Sequence, residues 1–557
     1  MMNRPLAMVA AVALAGVLGA CTGDGDAPGT VAARCDPRLD AAFRTWARAG
    51  FSGSIAISTG GRSVCLAAYG SANDADGTPN TVDTVFAIGS VTKAFTAAAV
   101  LELVEDGRLA LDDRAGDLLP ELTGPAAEVT VRRLLLHTSG LSGSHGEDHR
   151  PLDRAAALAA ISGLESAFRP GSGYAYSNAG YTLLALIIEK ASGTTYRRYT
   201  ASRTLRLPDG RIAGGFWDGR PAPTGPRAVG HLDGGRPGAR GDFAGPHWAL
   251  DGNGGLAMTA GDLAAWTYAL FTGRVVSAES VETLTRPGYD HGKGRSETPG
   301  WVAHDASVHG TPFLTTAGGG GDVGHDVVVA WVPEGRRVIV MASNKPKVSA
   351  ESLLAKVGPA LLAGKPLPTP HVPNGAGAGA RPGKYGSKAG GTFDVTATGH
   401  RITVTATGID TVTALFPPSG GVSAADFRAN EQRVLALLNG RTEEGRKERA
   451  TLERDFGPLR RVALAGTLFR DGDVRTYVTL MAGTKTIIGW YSLDAEGGVG
   501  AAEVPAAPPA LTLVPDGAGR YRPDDPTGTG PAVTVEFRNG RMTLTGPGGT
   551  TVAEPAG

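Results

Sequence analysis

From Leu367 to Pro382 the chain reads LPTPHVPNGAGAGARP. Proline removes backbone donors and glycine raises the entropy of ordering, so neither a helix nor a ladder strand runs through such a stretch. The 557 residues therefore divide there, and their length predicts three or four domains. The expected divisions are a large first domain over 37–365, a linker over 366–382, a β unit over 383–422, an α+β unit over 423–506 and a final β unit over 507–557. Apolar residues make up 41%, enough for buried cores in each. Lys plus Arg number 54 and so do Asp plus Glu, a balance that creates no field for drawing in nucleic acid, and none is expected as a partner.

The first twenty residues predict an export signal. Arg4 supplies the positive end, Leu6 to Leu18 is an apolar run too short to span a membrane, and Leu18-Gly-Ala-Cys21 offers small residues before a cysteine. That ending resembles a bacterial lipoprotein signal, with Cys21 lipidated and residues 21–36 as a tether; the other outcome is ordinary cleavage nearby and free secretion. Either way the protein is expected outside the cytoplasm, with the membrane as partner only through the lipid anchor. Cys35 and Cys65 then form an even pair in an exported chain, so a disulfide between them is plausible beside the alternative of two buried thiols.

Periodicity places the main elements. Ser54–Ser58 and Val64–Ala68 read as a hairpin around Thr59-Gly-Gly-Arg62. Apolar residues at helical spacing predict helices over Phe95–Leu109, Tyr181–Ala191 and Asp262–Phe271. Asp326–Trp331 and Arg337–Ala342 are β-rich and pair across Pro333-Glu-Gly335. Beyond the linker, Gly391–Thr407 alternates as two strands, Ala424–Gly457 is helical and charged, and Arg461–Val504 is a run of strands with turns at Asp471-Gly472 and Gly497-Gly498. Asn539-Gly540 is a hairpin turn within Ala532–Thr545. Gly383-Lys-Tyr385 and Gly519-Arg-Tyr521 echo one another at the start of two β segments.

The chemistry concentrates in the first domain. Ser90-Val-Thr-Lys93 puts a hydroxyl at a helix start and an amine on the same face one turn later. A serine hydroxyl needs a base beside it, and a desolvated lysine can serve. Tyr176-Ser-Asn178 follows on the Gly-rich turn Pro170–Tyr181, where a phenol can relay a proton and an amide can hold Lys93 or a substrate.

These motifs, with Leu134-Leu-Leu-His-Thr-Ser-Gly-Leu141 and Gly254-Gly-Leu-Ala-Met-Thr-Ala-Gly-Asp-Leu263, stand in an order that resembles the serine β-lactamase and D-alanyl-D-alanine peptidase superfamily over residues 37 to 365. The branch it looks most like is the class C-like group, which also holds esterases and D-aminopeptidases. The resemblance implies an α+β fold, an antiparallel sheet flanked by helices with a helical lobe. It implies Ser90 as the acylated nucleophile, Lys93 as general base and Tyr176 as proton shuttle, with Asn178 binding substrate and His137 structural. The substrate would be a small peptide, a β-lactam or an ester, and no cofactor is implied.

One family motif departs. Class C-like members carry Lys or His, a small residue and Gly on the strand beside the nucleophile. Here the segment is Thr315-Thr-Ala-Gly-Gly-Gly-Gly321, and Ala317 is expected in the cationic place. Gly319 or Gly320 is still expected to donate an oxyanion N–H. The missing cation weakens β-lactam and D-Ala-D-Ala recognition and strengthens the esterase alternative, or a weakly catalytic penicillin-binding sensor. His309 and His325 stand near enough in sequence to be substitutes, beside the reading of both as loop or structural histidines. His145, Glu147, Asp148 and His149 lack a clear ligand spacing, so a solvated loop is expected there rather than a metal.

Overall fold

The computed structural model describes residues 31–147, 150–232, 247–320, 323–373, 380–419, 421–470, 473–493, 497–517 and 519–556. The expected signal, Cys21 and the tether up to residue 30 lie outside these, as do Asp148, His149, Gly321 and the Asp471-Gly472 turn. None of the described helices is long and apolar enough to cross a membrane.

Nine antiparallel strands form the main sheet: β1 (Val31–Cys35), β2 (Gly53–Thr59), β3 (Arg62–Tyr69), β4 (Tyr289–Gly292), β5 (Arg295–Thr298), β6 (Trp301–His304), β7 (Phe313–Gly320), β8 (His325–Val332) and β9 (Arg337–Ser343). Their spatial order is β1-β3-β2-β9-β8-β7-β6-β5-β4. The last residues assigned to the tether, 31–35, are instead the edge strand. Cys35 pairs in register with Cys65 on β3 and is bonded to it.

Strand alternation gives the sheet two apolar faces. On one, Leu314, Val327, Val329 and Trp331 join the large helical lobe. On the other, Ala317, Val328, Ala330 and Ile339 join a second cluster that also holds Phe43 and Trp46 of α1 (Pro37–Arg48). In the lobe, α2 (Thr92–Glu105) is buried along almost its whole length, hence its lack of a polar face. Next to it runs α3 (Asn178–Ser192), capped by the Ser177 hydroxyl accepting from the Gly180 N–H and ended by Gly193 in the left-handed region. Further along, α4 (Ala260–Phe271) starts at a Thr259 cap, and α5 (Ala350–Leu362) covers the outer face of β8 and β9.

After the linker the chain makes β10 (Gly383–Ser387), β11 (Thr392–Thr398) and β12 (Arg401–Thr407). Three helices follow, α6 (Ile409–Leu415), α7 (Ala424–Leu438) and α8 (Glu443–Phe456). The meander β13 (Leu459–Arg470), β14 (Asp473–Ala482), β15 (Lys485–Leu493) and β16 (Val499–Glu503) packs on the last two of them. Then come β17 (Ala510–Pro515), β18 (Arg520–Pro523), β19 (Thr534–Arg538), β20 (Arg541–Gly546) and β21 (Gly549–Pro555). The strands expected as two separate β units close into one barrel, β10-β11-β12-β17-β18-β19-β20-β21, with the α+β segment inserted between β12 and β17. Tyr385 and Tyr521, from the two echoing segments, both pack edge-on against Phe537 inside it. Trp46 donates to the Pro368 carbonyl and Arg522 to that of Val372, so the start of the linker touches both domains.

Candidate active site

Ser90 lies in a tight turn, Gly89–Val91, that runs straight into α2. Lys93, one turn on, is 3% exposed. Its Nζ donates to Ser90 Oγ (3.0 Å), Asn178 Oδ1 (2.8 Å) and the Asn253 carbonyl (3.0 Å). Three acceptors thus meet the three directions of the amine. When the amine is neutral, its lone pair can take the hydroxyl proton along the same 3.0 Å line.

Tyr176 completes the constellation from the other side. Its phenol donates to Ser90 Oγ at 2.7 Å, and Lys93 Nζ lies 4.7 Å from its ring centre. The side chain is half exposed, but desolvation of the hydroxyl beside Ser90 pushes its pKa up to about 12, opposed by the Ser90 hydrogen bond and aided by the Glu297 charge. It is therefore a neutral phenol through the physiological range, suited to hand a proton over and take one back.

Why the phenol is there follows from His137. This residue has a backbone φ of 55°, and its Nδ1 accepts the Ser177 N–H at 3.0 Å. Its ring stacks on that of Tyr176 with centroids 4.5 Å apart. Burial first, and the Lys93 charge second, depress its pKa well below the usual histidine value. A neutral imidazole thus anchors the tyrosine turn, the structural role that the resemblance implies.

Strand β7 forms the wall opposite the lobe. A Cβ on Gly318 would lie 2.2 Å from the Ile88 carbonyl and 2.4 Å from the Ser90 nitrogen, and one on Gly89, at φ 49°, would press on Gly318. Only glycine fits this approach. It brings the Gly319 nitrogen beside the Ser90 turn, 3.5 Å from where a Cβ on Gly89 would sit. Residues 316–320 have no partner strand on the β6 side among the described residues, since that pairing ends at Thr315.

The alternation corrects one expectation. Gly318 faces Ser90, so Thr316 is the next side chain on that face, while Ala317 points to the outer core with Val328. The residue in the place of the family cation is Thr316. His309 is at the other face, stacked on Phe313. His325 is buried and accepts the Ala87 N–H at 3.0 Å, packed edge-on against Trp217 and Phe86. Neither substitutes for a cation at the wall. His145 Nε2 contacts the Trp248 carbonyl, and Glu147 pairs with Arg150. Among the described residues no group of three or more His, Cys, Asp or Glu could hold a metal.

Asn253 was not foreseen. It precedes the Gly254-Gly motif and acts through its carbonyl, which any residue carries; its side chain is tied to Thr182 Oγ1 and the Ala249 carbonyl. Tyr174, Tyr289, His291 and Glu297, packed beyond His137, were also unmarked. Of these, Tyr174 alone lay in a noted motif.

The sequence matches the Beta-lactamase family over residues 40–360 of 557. The chain belongs to the Beta-lactamase family. Members of this family are serine hydrolases, and this chain is a serine hydrolase of that fold. It is 26% identical over 352 residues to "Penicillin-binding protein 4*" of Bacillus subtilis, covering 58% of this chain and 75% of that one. It is 35% identical over 185 residues to "Esterase EstB" of Burkholderia gladioli, covering 29% of this chain and 46% of the esterase. The structure of the octameric penicillin-binding protein homologue from Pyrococcus abyssi superposes with a TM-score of 0.53 at 19% identity, covering 92% of this chain and 99% of that one. That likeness shows a shared fold through the C-terminal half as well.

Proposed function

We propose that the protein is an exported hydrolase that works through a Ser90 acyl-enzyme on cell-wall or D-amino-acid peptides, or on β-lactams. One observation carries this: Ser90 Oγ is held at once by Lys93 Nζ at 3.0 Å and Tyr176 OH at 2.7 Å. In the acylation step Lys93 takes the hydroxyl proton and Oγ bonds the carbonyl carbon. The oxyanion is held by the N–H groups of Ser90 and of Gly319 or Gly320. As the bond to the leaving group breaks, Tyr176 gives that group a proton and is refilled from Lys93. Water then attacks the ester by the same relay in reverse. Asn178 keeps Lys93 in line and faces the substrate amide. The open edge of β7 suits an extended peptide.

Export is supported by the signal-like first twenty residues and the Cys35–Cys65 bond, which belongs to an oxidising compartment. Lipidation at Cys21 would keep the protein on the outer face of the membrane; without it the chain would be secreted.

A second reading, an esterase, is favoured by Thr316, which offers no charge to a substrate carboxylate. Incubation with a fluorescent penicillin and with an activated ester, followed by mass spectrometry of the Ser90 peptide, tests both. Turnover of either probe that disappears in Ser90→Ala supports the hydrolase, and the preferred probe picks the substrate class. A stable Ser90 adduct without release turns the reading to a sensor. A folded protein that reacts with neither probe sinks it.

A further inference from the structure

A hollow beside α4 lies outside the catalytic constellation. Trp266 of α4 stacks on Phe95 of α2 with ring centroids 3.6 Å apart. Another side of α4 does not close on the sheet. There, between the helix, the β2–β3 hairpin and the loop Leu207–Arg211, is a cavity of about 320 Å³, within the range of small-molecule sites. Its body is lined by Ala56, Leu66, Leu207, Ala264, Ala265 and Tyr268. A Cβ on Gly61 in the hairpin turn would lie 2.9 Å from the Tyr268 ring, so the turn holds that ring in place as a wall. None of Ser90, Lys93, Tyr176 and Asn178 borders the cavity.

The two arginines on its rim are unequal. Arg211 is held by two carboxylates, Asp209 and Asp262, each at 2.9 Å. Arg274 is exposed just past the end of α4, lies over the Tyr268 ring at 5.3 Å, and has no carboxylate partner among the described residues. A guanidinium lying over a ring keeps its N–H edge for a planar acceptor, and a carboxylate matches that edge with two parallel hydrogen bonds. We propose that this cavity binds a small amphiphilic monocarboxylate, with its carboxylate on Arg274 and its apolar body running past Tyr268 towards Ala265 and Leu207. An ammonium head would be repelled by Arg274, and a neutral head would leave the guanidinium unanswered. A dianion would bring a second charge to a rim whose other guanidinium is already paired. The assignment goes beyond the Ser90 chemistry and does not depend on it.

Isothermal titration of the full-length protein with octanoate, 1-octanol and octylammonium tests the site. The three probes share a tail and differ in the head. Octanoate is expected to bind about 10-fold tighter than either of the others, the scale of a hydrogen bond to a charged group. Arg274→Gln should bring octanoate down to the affinity of octanol, and Ala265→Phe, which fills the cavity, should remove octanoate binding. No binding of octanoate, or equal affinity for the three heads in the unmodified protein, overturns the site and needs no variant to fold. A carboxylate preference that survives Arg274→Gln overturns the role of that residue and the proposal with it. Octanoate binding unchanged in Ala265→Phe puts the ligand elsewhere on the protein and overturns it as well.

Discussion

A Cβ on Gly318 would lie 2.4 Å from the backbone nitrogen of Ser90. The nucleophile turn and the wall strand therefore meet backbone to backbone, and the proposed oxyanion donors are spaced by that contact. Gly318→Ala forces the strand away from the Ser90 turn. The expected outcome is a loss in kcat/KM on an activated ester of about 100-fold, the scale of removing one oxyanion donor. Ser90 labelling by the same ester should slow in parallel. Activity within a few-fold of the parent protein would mean that β7 does not set this geometry.

The alternation of β7 yields a paired prediction. Thr316→Lys puts an amine on the Ser90 face, where it can meet a substrate carboxylate. Ala317→Lys puts the charge on the opposite, partly buried face beside Val328. The first variant should acylate faster with penicillin than the parent protein. The second, at a position only partly buried, should lose about 1 kcal/mol of stability, the usual scale of a point substitution, and gain no acylation. Stopped-flow labelling and a urea titration separate the two. A gain in Ala317→Lys instead would show that the assigned strand face is wrong.

How far the sequence carried the fold can be seen at the same strand. That Ser90, Lys93 and Tyr176 come together was legible because helical spacing and a Gly-rich turn are local features, and their order along the chain is specific. The face of β7 was not. In Thr315-Thr-Ala-Gly-Gly-Gly-Gly321 the glycines have no side chains to mark alternation, so a one-residue slip from Thr316 to Ala317 is invisible until Gly318 is seen against Ser90. Barrel closure was hidden for a different reason. It depends on β12 pairing with β17 and β10 with β21, across more than a hundred residues, and no local pattern reports such partners. The hairpins at Gly399-His400 and Asn539-Gly540, whose partners are adjacent, were read correctly. Asn253 and Glu297 escaped because the first works through its backbone and the second sits in no motif.

Tyr176 also makes a prediction about pH. Because desolvation beside Ser90 raises its phenol to about 12, its ionisation is not expected to cause an alkaline fall in activity near pH 9 or 10. Tyr176→Phe should reduce kcat by roughly 100- to 10,000-fold, the range for a lost general acid or base. The residual rate should keep the alkaline limb of the parent protein. If a limb near pH 9 or 10 vanishes in Tyr176→Phe, the phenol titrates far lower than its surroundings dictate, and it acts as an anionic base instead.

Glu102, on the buried helix α2, sets a pH dependence of stability independent of the active site. It is 6% exposed, and Thr204 Oγ1 donates to its Oε2 at 3.0 Å. Burial raises its pKa from 4.5 to about 7, against the hydrogen bonds of Thr204 and Tyr199 and the Arg203 charge. The folded state thus holds this proton more tightly than the unfolded chain. Its contribution to stability is full below about pH 4 and is lost progressively as pH rises to about 7. At about 1.4 kcal/mol per unit, the full change is on the order of 3 kcal/mol. Glu102→Gln keeps a carbonyl for Thr204 and cannot ionise. Its melting temperature should match that of the parent at pH 4 and exceed it by a few degrees at pH 8. A difference between the two proteins that stays constant across that range would mean that Glu102 ionises normally in the folded state.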